Sequence, residues 1–410
     1  MIPTKDKQYY QFCAYGFLKN LRFFDPFLLL FFLSKGFSYL DIGILYAIRE
    51  IGFVLTEIPS GILADGFGRK KSLSLSYIAY LISFMVFYFG SSFWMIALAM
   101  LIFSFGESFR SGTHKALIFA YLEQRGWLKH KTEYYGHTRA SSQLGSAISA
   151  ALAAIIVIMN PNLNTIFLFS VFPYLIGLIN ISLYPKSLDK TNGDKSLKSL
   201  LQTSFQLSRE SWAVFRQKQM LKAAFSLSFY SAYFKGIKDF LQVLVLSFSI
   251  GAIIVPQFNS EQQNALYIGV AYSLLFLLTS FASRNSERFR MLFSSDKKAL
   301  NVSLMAGILM GGLAGLMMYS DFKLLAIVLF FGVYIIENVR KPIGISVVVE
   351  YSNEKINATI LSVASQLQSG IAALIALFIG FMADAYSIGL ALILTSFLML
   401  LALPFYWFRK

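Results

Sequence analysis

Cysteine and histidine are almost missing from this 410-residue chain, which holds one Cys and three His. A lone thiol, Cys13, excludes an intramolecular disulfide. Three scattered imidazoles, His114, His130 and His137, form no clustered ligand set with it, so no metal and no cofactor are expected. Nothing resembles a nucleophile elbow, a nucleotide loop or a His-Asp acyl-transfer motif, and an enzyme is not expected. Charge is scarce as well: Asp, Glu, Lys and Arg make up 14% of residues, where a soluble protein carries about 25%.

What fills the space is apolar. Hydrophobic residues are 56% of the chain and aromatics 16%, with a mean hydropathy of +0.61. Apolar runs of about 20 or more residues, the length that crosses a bilayer, are read at 11–34, 38–63, 72–91, 93–121, 134–159 and 164–184. They recur at 223–252, 264–283, 299–319, 323–350, 357–382 and 386–407. The first run is too long for a signal-peptide core and lacks a small-residue cleavage site, so it is expected to remain as a span. The fold class is therefore an all-α membrane protein of twelve spans in the bilayer. A six-span bundle at 1–184 and another at 223–410 are joined by a polar linker at 185–222. In the linker Leu200, Leu201, Phe205, Trp212 and Phe215 predict a helix lying on the membrane surface.

The net charge of +15 is a topology signal rather than a nucleic-acid footprint. Lys5, Lys7, Arg69, Lys70, Lys71, Arg125, Lys129 and Lys131 alternate with apolar runs so as to share one side, together with the linker cations and Arg409 and Lys410. The other side holds only Lys35 and Lys323. The positive-inside rule then predicts a multi-pass protein of the plasma or inner membrane, a monomer, with both termini cytoplasmic and no nucleic-acid partner.

The two halves repeat. Ser142-Gln143-Leu144-Gly145-Ser146-Ala147-Ile148-Ser149-Ala150 in span five matches Ser365-Gln366-Leu367-Gln368-Ser369-Gly370-Ile371-Ala372-Ala373 in span eleven at six of nine positions. Glu107 and Arg110 of span four recur as Glu337 and Arg340 of span ten. Lys19 and Arg22 of span one recur as Lys235 and Lys238 of span seven, and Ile42-Gly43 with Tyr46 recur as Ile268-Gly269 with Tyr272. Repeats of six spans share an orientation and imply a pseudo-two-fold axis along the membrane normal.

The loop after span two reads GILADGFGRKK, from Gly61 to Lys71. With the six-plus-six repeat, it resembles the cytoplasmic loop signature of the major facilitator superfamily over essentially the whole chain. Gly61, Asp65, Gly68, Arg69 and Lys70 fit that signature, and Gly66 replaces its usual basic residue. The resemblance implies a conformational latch in this loop, with Asp65 facing a helix N-terminus or a loop cation and Gly61 permitting close helix approach. It also implies a secondary active transporter working by alternating access. The drug-antiporter signature, a Gly-Pro pair on span five, is absent.

Charges sit deep in the spans that line the cavity in that family, at about 2.5–3.5 kcal/mol each when uncompensated. Lys19, Arg22 and Asp25 share a face of span one, and Lys235, Lys238 and Asp239 repeat the stripe on span seven. Six cations (Lys19, Arg22, Arg110, Lys235, Lys238, Arg340) meet four anions (Asp25, Glu107, Asp239, Glu337), an excess that predicts a small organic anion clamped between the halves. Substrate-contact candidates are thus Lys19, Arg22, Asp25, Arg110, Lys235, Lys238 and Arg340. Glu107, Glu337 and Asp239, with Glu50 and Glu57 of span two, are gating, ion-pair or coupling candidates. Protons or a counter-transported anion both remain open as the coupling partner. Rival functions are a proton-coupled exporter of amphipathic compounds, which calls for a more acidic cavity, and a non-transporting receptor or polytopic membrane enzyme.

Overall fold

The computed structural model describes residues 5–127, 130–188, 217–249, 255–351 and 357–408, and every regular element in them is helical. The surface helix expected in the linker lies outside the described residues, as does the side chain of Asp65.

The first half consists of α1 (Lys7–Leu18), α2 (Leu28–Ser34), α3 (Tyr39–Phe67), α4 (Arg69–Phe89), α5 (Phe93–Arg110), α6 (Thr113–Gln124), α7 (Lys131–Met159) and α8 (Thr165–Ser182). The second half runs through α9 (Lys218–Ile237), α10 (Leu241–Ser249), α11 (Ser260–Arg284), α12 (Ser286–Met291), α13 (Asp296–Tyr319), α14 (Lys323–Glu350), α15 (Asn357–Ala385), α16 (Ile388–Leu401) and α17 (Leu403–Tyr406). Side-chain caps start several of these. Asp6 accepts from the Tyr9 N–H at 3.0 Å, and Asn259 forms a reciprocal capping box with Gln262.

Among the described residues, seven helical stretches are long and apolar enough to cross a bilayer unaided, and they correspond to spans three to six, eight, nine and eleven. The other five fall short for physical reasons. Span twelve is short. Spans two and ten carry buried charge, including Glu50, Glu57, Glu337 and Arg340. Spans one and seven are interrupted. Span one unwinds after Leu18, passes through a 3₁₀ turn at Asp25–Phe27 and resumes as α2. Span seven breaks at the matching place, in a 3₁₀ turn at Lys238–Phe240 between α9 and α10. The apolar windows at 11–34 and 223–252 conceal these breaks, because aromatic and aliphatic residues flank the charges on both sides. Span four also breaks, at Gly112, whose φ of +71° is left-handed. Its repeat counterpart in span ten is Pro342, which sits inside the unbroken α14.

Contacts divide the chain into two units. The first is Met1–Asp25 with Gly52–Ser204, and the second is Pro26–Ile51 with Phe205–Lys410. Within the second, the orphan N–H groups left by the interruptions find side-chain acceptors. The fully buried Gln242 carboxamide oxygen accepts from Leu29 N at 2.9 Å and Leu30 N at 3.2 Å, in the first turn of α2. Asp384, near the end of α15, accepts from Tyr39 N at 2.9 Å and Leu40 N at 2.7 Å, so it caps α3 across the chain. An apolar core around Met220, Leu227, Leu300, Ile343, Val347 and Ile360 holds the rest of that unit.

Within the first unit, α1 and α7 cross in backbone contact. A Cβ added at Gly145 would lie 2.5 Å from the Phe17 carbonyl oxygen, and one at Gly16 would lie 2.7 Å from the Thr138 carbonyl oxygen. That crossing sets the end of α1 beside the polar face of α7. Among the described residues outside its own helix turn, no atom lies within 4 Å of where a Gly61 Cβ would sit.

Two predictions follow from these geometries. Gly145→Val is expected to cost about 1–3 kcal/mol, because the obstructing atom is backbone and cannot swing aside; thermal unfolding in detergent reads it. Asp384→Ala removes a two-donor cap and is expected to cost about 1 kcal/mol in the same assay.

Candidate functional site

A ring of polar side chains lies where span one unwinds. Glu107, three residues from the end of α5, takes two guanidinium groups at once. Arg110 Nη2 donates to its Oε2 at 2.6 Å, and Arg22 Nη2 donates to its Oε1. Two tyrosines complete the ring. The Tyr80 hydroxyl donates to Glu107 Oε1 at 2.6 Å and accepts from Arg110 Nε at 3.0 Å. The Tyr174 hydroxyl accepts from Arg22 Nε at 3.0 Å and donates to the Lys19 carbonyl at 2.9 Å, a group freed by the end of α1. Packed rings of Tyr77, Phe84 and Phe103 surround the tyrosines, with Phe84 and Tyr174 in edge contact at 4.9 Å. The pattern expected for Glu107 and Arg110, an ion pair one turn apart, is present, and Arg22 joins it from another helix.

Beside this ring a cavity of about 250 Å³ opens in the first unit. Tyr15, Gly16, Lys19 and Asn20 line it from span one, His114 from α6, and Thr138, Arg139, Ser142, Gln143 and Ser146 from α7. Only Gly16 among the ten lacks a polar side chain. Tyr15 stacks on the His114 imidazole, ring centroids 3.6 Å apart, and His114 Nε2 lies 3.3 Å from the Tyr184 hydroxyl. The lining contains no carboxylate. Among the described residues neither Lys19 nor Arg139 has a carboxylate within ion-pair distance.

The second unit treats the equivalent lysine differently. Lys235, the repeat counterpart of Lys19, forms an ion pair with Glu50 and donates to Ser369 Oγ at 3.2 Å. Ser369 is itself the counterpart of Ser146. Glu50 is 2% exposed and also accepts from Arg49 Nε at 3.2 Å. Lys238 pairs with the adjacent Asp239 at 2.8 Å. Glu337 and Arg340 do not pair as their counterparts do. Arg340 is wholly buried and gives Nη2 to the carbonyl and hydroxyl of Ser226 at 2.6 and 2.7 Å, with its guanidinium 5.2 Å from the Tyr230 ring. Glu337 accepts from Ser231 Oγ at 2.8 Å and lies 3.8 Å from Lys341.

The structure thus brings Lys19, Arg22, Glu107 and Arg110 together in one unit, and Glu50 and Lys235 together in the other. Asp25 opens the 3₁₀ turn just past the ring, and Asp239 and Glu57 are buried in their own surroundings. In the signature loop, Gly68 breaks α3 from α4 with φ +108°. Arg69 opens α4. Lys70 Nζ caps the end of α8 by donating to the carbonyls of Ser182 and Tyr184 at 2.8 and 2.7 Å. Arg139 was not anticipated as a site residue. The signal was its place one turn before Ser142, at the head of the repeated nonapeptide. Among the described residues no three His, Cys, Asp or Glu side chains are placed to hold a metal ion.

Comparison with known proteins agrees with this architecture. A family profile described as Major Facilitator Superfamily matches residues 11–336. An uncharacterized MFS-type transporter, YxaM of Bacillus subtilis (strain 168), is 33% identical over 91 residues, which is 22% of this chain and 23% of that one. Among solved structures, the nucleoside transporter NupG superposes with a TM-score of 0.76 at 14% identity, covering 98% of both chains. A POT family transporter in complex with 5-aminolevulinic acid gives 0.73 at 13% identity, over 99% of this chain and 98% of that one. A bacterial homolog of the human lysosomal transporter Spinster gives 0.72 at 15% identity, over 98% and 97%. At these identities the superpositions speak for the fold alone.

Replacing Glu107 by Gln would leave two guanidinium groups facing each other around a neutral amide. It is expected to lower stability by about 3 kcal/mol, read by thermal unfolding, with Glu107→Asp falling between the two.

Proposed function

The chain belongs to the major facilitator superfamily, a family of membrane transporters rather than enzymes, and from that premise we propose that it is a secondary transporter of a small organic anion. One observation carries the choice of anion. Lys19, half-buried, lines a polar cavity with no carboxylate in its lining and with the exposed Arg139 at its edge, whereas Lys235, the internal repeat of Lys19, is neutralised by Glu50. The repeat position of Glu50 is Phe276, so the chain supplies no second acid there. An uncompensated cation in a low-dielectric surround is costly. A negatively charged solute removes that cost each time it binds.

Arg22 and Arg110 are committed to Glu107, so in this reading they set the geometry around Lys19 instead of gripping the solute. Lys238 is likewise committed to Asp239. Binding and release alternate between the two membrane faces, and both termini lie on the cytoplasmic side, where the Lys and Arg residues concentrate. A lining with two cations and no acid speaks against an exporter of cationic amphipathic compounds.

The expected outcome in detergent is a rise in melting temperature with carboxylates or phosphate esters that grows with the logarithm of their concentration, and none with choline. In proteoliposomes, Lys19→Gln is expected to weaken apparent anion affinity by about tenfold or more. Equal affinity in Lys19→Gln and the parent protein, or stabilisation by choline instead, would overturn the reading.

A further inference from the structure

The cavity beside Lys19 holds cations that can only donate and neutral polar groups with capacity to accept. Lys19 and Arg139 carry only donors and set the place of an anionic group. The groups near them are committed differently. Ser142 gives its one hydroxyl proton to the Thr138 carbonyl at 3.2 Å, and Ser146 gives its own to the Ser142 carbonyl at 3.3 Å. Each serine oxygen therefore meets the cavity as an acceptor. Asn20 gives one amide N–H to the Gly16 carbonyl at 2.9 Å, which leaves its second N–H to donate and its carbonyl oxygen to accept. Gln143 adds an amide that both donates and accepts.

A solute that is all acceptor, such as a fatty acid anion, would set nothing against those three acceptors. They would lose water and gain no partner, a penalty that binding sites impose on analogues lacking a hydroxyl. Nor would its alkyl chain find cover, since the lining holds no aliphatic side chain. A zwitterion brings donors but places an ammonium group against two cations. A cavity of about 250 Å³ equals the liquid volume of roughly eight waters, so a single inorganic ion would leave most of it wet.

From this we infer that the transported solute is a polyhydroxylated oxyanion of about hexose size, a sugar acid or sugar phosphate, whose hydroxyls donate to Ser142, Ser146 and Asn20 while its charge meets Lys19 and Arg139. The inference rests on the anion reading above and adds the hydroxyl requirement.

Calorimetric titration of the purified full-length protein with four probes separates the two. Gluconate carries charge and hydroxyls, hexanoate charge alone, glucitol hydroxyls alone, and glucose 6-phosphate tells a phosphate ester from a carboxylate. Gluconate or glucose 6-phosphate is expected to bind at least about tenfold tighter than hexanoate, with glucitol no better than hexanoate. Equal binding of gluconate and hexanoate overturns the hydroxyl requirement and leaves the anion reading standing. Glucitol binding as well as gluconate overturns the anion reading itself. Absence of binding by both gluconate and glucose 6-phosphate overturns the inference. In the double variant Ser142→Ala, Ser146→Ala the gluconate preference over hexanoate is expected to shrink by about tenfold, and an unchanged ratio would count against it. If that variant does not fold, the ratio measured on the parent protein still decides.

Discussion

One carboxylate holding two guanidinium groups organises the first unit. Glu107 sits between Arg22 and Arg110, and without it both cations would lose their acid partner inside a largely apolar bundle. The ring it anchors runs on through Tyr80 and Tyr174 to the carbonyl of Lys19, so the same interaction that neutralises charge also ties down the unwound segment after α1. An interrupted span is tolerable at membrane depth only where the freed backbone groups are satisfied within protein or water. Here the satisfaction comes from side chains that charge compensation already requires. Fixing the break and balancing the charge are one structural problem with one solution.

The internal repeat then makes an informative contrast. Duplicated bundles start equal, and Lys19 and Lys235 occupy equal places in them. The second copy closes its charge by borrowing Glu50 from α3, with Ser369 as a further partner. The first copy keeps its serine, Ser146, at the cavity wall and has no acid in the lining. Sequence symmetry thus comes with electrostatic asymmetry: Lys235 is closed into an ion pair, whereas Lys19 lines a cavity without an acid.

Much of the architecture was legible in the sequence, because span length and repeat spacing are encoded in long apolar runs that single substitutions do not blur. Deep charges on spans one, four and seven were legible for the opposite reason: they stand out against those runs. Pairing was less so. The Glu107–Arg110 contact follows from a spacing of three, yet the same spacing at Glu337 and Arg340 yields no pair, because Ser226 and the Tyr230 face offer Arg340 other partners. Those partners lie on α9, and residue spacing along one helix carries no information about them. Arg139 stayed hidden because a cation near the end of a span is already accounted for by topology. Pro26 pointed to a bend in span one, but the breaks in spans seven and four stayed hidden because hydropathy averages over them.

A transporter has to release what it binds, and this places a limit on how complete a site can be. A pocket that wrapped its solute in paired charges and saturated hydrogen bonds would hold it through every conformational cycle. The cavity in the first unit is incomplete by construction. Lys19 and Arg139 have no acid in the lining, and the oxygens of Ser142, Ser146 and Asn20 have acceptor capacity left over while the two serine protons and one of the two Asn20 amide protons go to the helix backbone. In the anion reading, each of these groups stays open to water once the solute leaves, which favours a hydrated empty state over a collapsed one. The affinity available is then the difference between solute and water at each group, a small quantity per contact. Selectivity depends on the solute matching several such contacts together.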